Sequence, residues 1–172
     1  MDHLPKFLQV GPLPHSKSAL RQTFHAKIKC MAVELWQRSH RYQCTNQIVP
    51  DLSCTSYFKS IACLPRKHTS IITQLITGHA PLNKHLHRIG KTDTPTCPSC
   101  HEHEETTLHF LLHCPAHQAI HRLMMDQVPY EDQNLAGLLA THSNRKHLLN
   151  FVAWTTCFRS VFGHILELPD QE

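Results

Sequence analysis

The chain has 172 residues, 41% hydrophobic and 17% charged, a balance that excludes a disordered tail and suffices for one domain with its own core. Its 17 Lys and Arg against 13 Asp and Glu leave a formal charge of +4, which permits an anionic partner without the strong basicity of a dedicated nucleic-acid binder. No stretch approaches the roughly 18 apolar residues that cross a bilayer, and the opening MDHLPKFLQVGPLP lacks a leader's apolar core, so the sequence predicts a soluble intracellular protein of nucleus or cytoplasm.

Residues 1–15 hold Pro5, Gly11, Pro12 and Pro14 and read as a flexible lead-in. From about Ser16 to Arg41, Leu20, Phe24, Ile28, Met31 and Leu35 recur at helical spacing, with Ser16 or Ser18 as N-cap, predicting a long amphipathic helix with a basic outer face. A loop follows from Tyr42 to Thr55, then a short helix through Tyr57, Phe58, Ile61 and Leu64. Pro65 opens another helix whose apolar face is Ile71, Ile72, Leu75 and Ile76, with Gly78 at its left-handed C-terminal cap. A brief helix from Leu82 to Ile89 ends at Gly90 in the same way.

Beyond a cysteine-rich segment, Ala116–Val128 reads as a helix facing inward with Ile120, Leu123 and Met124, and Pro129 stops it. Asn134 caps a short helix to Ala140, and Ser143–Leu166 forms the last helix, with Leu148, Phe151, Trp154 or Thr155, Phe158 and Phe162 at helical spacing. Sustained period-two alternation is missing, so the predicted fold is mainly α: a helical domain with a small inserted CCHC zinc knuckle. Its parts are the helical region 16–92, the knuckle 93–116, the helices 117–166 on the same core, and a tail over 167–172. Trp36 and Trp154 sit among apolar neighbours and are expected to pack in the core.

The chemistry lies in Cys97, Cys100, His109 and Cys114, a C-x2-C-x8-H-x4-C pattern. A C-x2-C turn converges two thiolates on one ion, and His109 and Cys114 complete a tetrahedron. Four protein ligands leave no position for water, so the expected zinc is single and structural, and no catalytic residue is assigned. His103 and His113 are the rival ligands; His113 is the poorer fit because it adjoins Cys114, and His101 and His103 are expected to be solvated. His109 and Cys114 are five apart, about 500° around an ideal α-helix, so they share a face only if the helix tightens or ends, and Pro115 supplies an ending. Leu108, Phe110, Leu111 and Leu112 are expected to dock the knuckle on the helical body. Glu102, Glu104 and Glu105 read as loop residues.

The other cysteines (Cys30, Cys44, Cys54, Cys63 and Cys157) stand singly and read as reduced thiols. Arg66, Lys67, Lys84, Arg88 and Lys91, with neighbouring histidines, form a candidate phosphate-binding set; the alternative is a solvated helix face.

The stretch SIITQLITGHAPLNKHLHRIGKTDTPTCPSCHEHEETTLHFLLHCP resembles the tail that follows the RNase H domain in fungal LINE-type retrotransposon polyproteins, where a TGH-PLN-HLHRIG segment leads into a CCHC knuckle. SALRQTFHAKIKCMAVELWQRSHRY, SYFKSIACLPRKHTS and HLLNFVAWTTCFRSVFG resemble the same family. The resemblance carries the ligand role onto Cys97, Cys100, His109 and Cys114. It implies an accessory that binds RNA or DNA beside a reverse transcriptase; the sequence departs from the family in showing no endonuclease, reverse transcriptase or RNase H domain, so the expected module has no catalytic domain. The other reading is a protein-interaction or structural module docking on a polymerase, or a non-functional element remnant. Neither reading has a small-molecule substrate.

Overall fold

The computed structural model describes residues 16–39, 42, 45, 46, 48, 57, 59 and 61–168. The lead-in, most of the 42–64 segment and residues 169–172 lie outside them. The chain divides into two compact units, Met1–Ser39 and His40–Glu172. Among the described residues the structure is helical, with one isolated antiparallel bridge between Thr96 and Glu104 and no longer strand pairing.

In the first unit, helix α1 runs Lys17–Gln37. Ser16 is its N-cap, its hydroxyl accepting from the Ala19 N–H at 3.1 Å, which satisfies one of the orphan donors of the first turn. The helix stops at Gln37, four residues short of the predicted Arg41, where Arg38 is the C-cap. None of its residues is buried.

The second unit begins its regular structure with α2, Arg66–Thr77, which buries Ile71, Ile72, Leu75 and Ile76 as their spacing predicts. Gly78 ends it at φ 68°, a left-handed conformation that favours glycine. Helix α3, Asn83–Arg88, follows, and Gly90 turns the chain at φ 70°. Past the cysteine segment come a π-helical turn His109–His113, a 3-10 turn Pro115–His117, and α4, Gln118–Met125. A further 3-10 turn, Tyr130–Asp132, leads to α5, Leu135–Ala140, then α6, His142–Thr155, and α7, Arg159–Phe162.

Helix α6 is the central element, packed against α2, α4 and α5. It buries Leu148, Leu149, Phe151 and Val152 beside Phe110, Leu111, Leu138, Leu139 and Phe158. Short polar links hold the periphery. The Asn134 side chain accepts from Gly137 N–H at 2.9 Å and caps α5, and Arg145 donates to the Leu139 and Ala140 carbonyls at 2.8 and 2.7 Å, closing the other end of α5. Gly137 is required there by space, since a Cβ would collide with the Asp132 backbone.

Three packing expectations are corrected. Thr156 adopts φ 56°, so the predicted closing helix breaks into α6 and α7. Leu123 is 57% exposed and Trp154 39% exposed, because α4 turns His121 and Met124 inward and α6 presents Leu148, Phe151 and Val152. Leu108 is also exposed, so Phe110 and Leu111 carry the docking expected of the whole Leu108–Leu112 segment, with Leu112 half-buried.

Candidate metal centre

Two short devices shape the cysteine segment. The Cys97 N–H donates to the His103 carbonyl and the His101 N–H to the Cys97 carbonyl, at 2.8 and 2.9 Å, folding Cys97-Pro-Ser-Cys100 into a tight loop. His101 takes φ 60° to complete it, a left-handed conformation that costs any side-chain-bearing residue energy. On the other side, the Thr106 hydroxyl accepts from the His109 N–H at 2.9 Å and starts the helical turn that bears the remaining ligands.

Of the two ways the spacing left open, a tightened helix or one that ends at Pro115, the helix does not tighten. It widens: the Cys114 N–H donates to the His109 carbonyl at 2.8 Å, a π-type bond five residues long. An α-helix would leave residues 109 and 114 about 140° apart. A five-residue turn returns residue 114 above residue 109 instead, and the extended backbone of Cys114 before Pro115 then ends the helix.

The ligand atoms of Cys97, Cys100, His109 and Cys114 all lie within 4.8 Å of one another. The Sγ atoms of Cys97 and Cys114 are 3.8 Å apart, and Cys100 Sγ is 3.4 Å from His109 Nε2. A zinc tetrahedron with Zn–S near 2.3 Å and Zn–N near 2.0 Å has S···S edges of about 3.8 Å and S···N edges of about 3.5 Å. The Cys97–Cys114 and Cys100–His109 edges match those lengths, and the three thiols and one imidazole suit zinc. The thiols are free, not bridged, since a disulfide would bring two sulfurs to about 2.05 Å.

The electrostatics suit a buried structural ion. Burial pushes the Cys114 thiol up to about 12, so a metal must displace its proton, whereas N–H groups of Glu102 and His103 at the loop draw Cys100 down. Burial, and then the neighbouring His103, His113 and His121, lower His109, which keeps its imidazole neutral and able to ligate. Cys97, His109 and Cys114 are buried, and Cys100 is half-buried. A closed set of four leaves no coordination position for a substrate.

Sequence reasoning missed the attachment of this loop to α3. Glu105 is buried, and its Oε2 accepts the Asn83 N–H at 2.6 Å; the Asn83 amide donates to the Thr96 carbonyl at 2.7 Å. Glu105 is thus no loose loop residue. Behind the turn, Phe110 packs on Phe158 and Phe151 with ring centroids 5.3 Å apart in each case, and His121 Nε2 lies 3.0 Å from the Phe110 carbonyl. Cys157, buried enough that its thiol is raised, sits 3.5 Å from His117 Nε2. The partners of Glu105 and Cys157 are 22 and 40 residues away in sequence, and no local pattern marks them.

The five predicted phosphate contacts fall in two places. Arg66 and Lys67 open α2, where the Lys67 ammonium donates to the His164 carbonyl at 3.1 Å. Lys84 and Arg88 lie on α3 with Lys91 just beyond, after the far end of α2, which is about 18 Å long. Lys84 pairs with Glu104, Arg88 Nη2 is 2.9 Å from His85 Nδ1, and all five are exposed.

Among the described residues no helix is long and apolar enough to cross a membrane. No curated protein and no solved structure matches the chain. The family described as zinc-binding in reverse transcriptase matches residues 16–120, more than half of the chain and the whole of the four-ligand cluster. With the three cysteines and one histidine gathered inside that match, the chain belongs to the family of zinc-binding domains of reverse transcriptases.

Proposed function

We propose that the chain is a nucleic-acid-binding accessory module of a retrotransposon reverse transcriptase, stapled by one structural zinc and catalysing no reaction itself. The observation that carries this reading is the position of α3: Asn83 ties its start to the cysteine loop, and Lys84, Arg88 and Lys91 are exposed beside it. The zinc fixes the loop, the loop fixes α3, and α3 presents the cations to phosphates. Lys84 is available to a phosphate despite Glu104, because an ion pair with both side chains more than half exposed is weak. Arg66 and Lys67 form a second contact at the start of α2.

The test is fluorescence anisotropy with single-stranded RNA and DNA across a salt series. Each phosphate contact contributes about 0.7 to the slope of log K against log salt on single strands. Lys84→Ala and Arg88→Ala each lower that slope and leave zinc content unchanged. Absence of salt-dependent binding to either nucleic acid refutes the reading.

A second reading, a module that docks on a polymerase, is favoured by the exposed apolar residues of α1. Salt-independent association with a reverse transcriptase supplied in trans, in the absence of nucleic acid, would support it.

A further inference from the structure

Helix α1 lines up Leu20, Phe24, Ile28, Met31 and Leu35 on one stripe, at 57%, 62%, 48%, 54% and 68% exposure. A contiguous apolar stripe of this length on a soluble surface marks a contact. From Phe24 the steps are four, three and four residues, the spacing of the seam between two paired helices. The flanking charges decide what occupies it.

We propose that α1 pairs antiparallel with α1 of a second copy of the chain. In that register Phe24 packs on Leu35 of the second copy and Ile28 on Met31, and the two-fold axis repeats each contact. Leu20 extends the stripe at its outer end. Lys27 and Glu34 occupy equivalent positions on one flank of the seam, seven residues apart. Antiparallel pairing sets Lys27 of each copy against Glu34 of the other, so the one acidic residue of the helix is used twice. Parallel pairing instead sets Lys27 opposite Ala32 and stacks Arg21 on Arg21 within the seam.

The helix dipoles favour the same arrangement. The first turn of α1 contains no acidic residue, and Lys17 and Arg21 lie near its positive end. An antiparallel partner brings its negative C-terminal carbonyls to that place. Arg21 meets Arg38 of the second copy at each end of the seam, where both long side chains reach water. Four apolar layers make a small interface, so the pair is a weak dimer.

Sedimentation equilibrium of the full chain, zinc-loaded and in reducing buffer, tests the proposal over a concentration series. The wild type shows a monomer–dimer equilibrium. Lys27→Glu and Glu34→Lys each weaken it about tenfold, because two attractive contacts become repulsive, and the Lys27→Glu/Glu34→Lys double exchange restores it. Ile28→Glu abolishes it, while zinc content and helical signal show that every variant remains folded. A chain that stays monomeric throughout, a dimer indifferent to either single exchange, or a double exchange that does not restore association overturns the proposal.

Discussion

The Asn83 backbone N–H and the Glu105 carboxylate meet at 2.6 Å, and through this contact the start of α3 is held by the cysteine loop 22 residues later. The bond satisfies an orphan donor of a six-residue helix that has no side-chain cap of its own. Burial raises Glu105, and the bond from Asn83 draws it back down. Removing the carboxylate in Glu105→Ala leaves that donor unpaired and costs about 1–3 kcal/mol in urea unfolding. Glu105→Gln keeps an acceptor oxygen and loses far less. Because the folded carboxyl lies above its unfolded value of 4.5, the wild type's stability gain relative to Glu105→Gln is fully present below 4.5 and is lost as pH rises through the folded value.

The four candidate ligands, Cys97, Cys100, His109 and Cys114, sit in a segment whose apolar contribution to the core is mainly Phe110 and Leu111. Chelation, Cys97→Ser and Cys114→Ser each remove one zinc per chain by elemental analysis and lower the helical circular dichroism. Loading releases the Cys114 proton, since that thiol is raised to about 12 in the metal-free protein. Zinc affinity therefore falls as pH falls, and proton release during titration with the metal measures it.

His117 and His121 are buried beside Phe151, and burial lowers both. Their folded values lie below the unfolded 6.5, so the stability associated with the neutral rings is complete above 6.5 and is lost as pH falls through the folded values. His121→Gln removes one of these titrations. Chemical unfolding from pH 8 to pH 5 at saturating zinc should show a shallower fall in this variant than in the wild type.

At His101 the left-handed backbone burdens a side chain that bonds to nothing in the loop's interior, for its ring is exposed. His101→Gly relieves the strain at some entropic cost in the unfolded chain. The balance is a gain of about 0.5–1 kcal/mol, read as a higher midpoint in urea with zinc content unchanged.

Much of this molecule is written locally. The four ligand residues follow from C-x2-C and two spaced partners, and they are the four whose ligand atoms converge. The face of α2, its Gly78 cap and the Asn134 cap of α5 depend on neighbours within a few residues, which is why their sequence signals are legible. The π-turn is not, because HFLLH carries no sign of a widened helix; the ligand spacing only required that the α-pattern fail. Glu105, Cys157 and the break at Thr156 are likewise set by distant partners and by which faces α6 and Phe158 bury. The exposed stripe of α1 shows the reverse limit: periodicity identifies an apolar face but does not say what lies against it.

The five residues from His109 to His113 belong to the metal and to the core at once. His109 and the following Cys114 point to the cluster, while Phe110 and Leu111 point into the hydrophobic interior. Inserting or deleting a single residue here therefore misplaces a ligand and a core ring together, and no compensating change at one of them repairs the other. Among descendants of this sequence the length of that interval should be the slowest feature to drift, slower than the identity of any residue inside it.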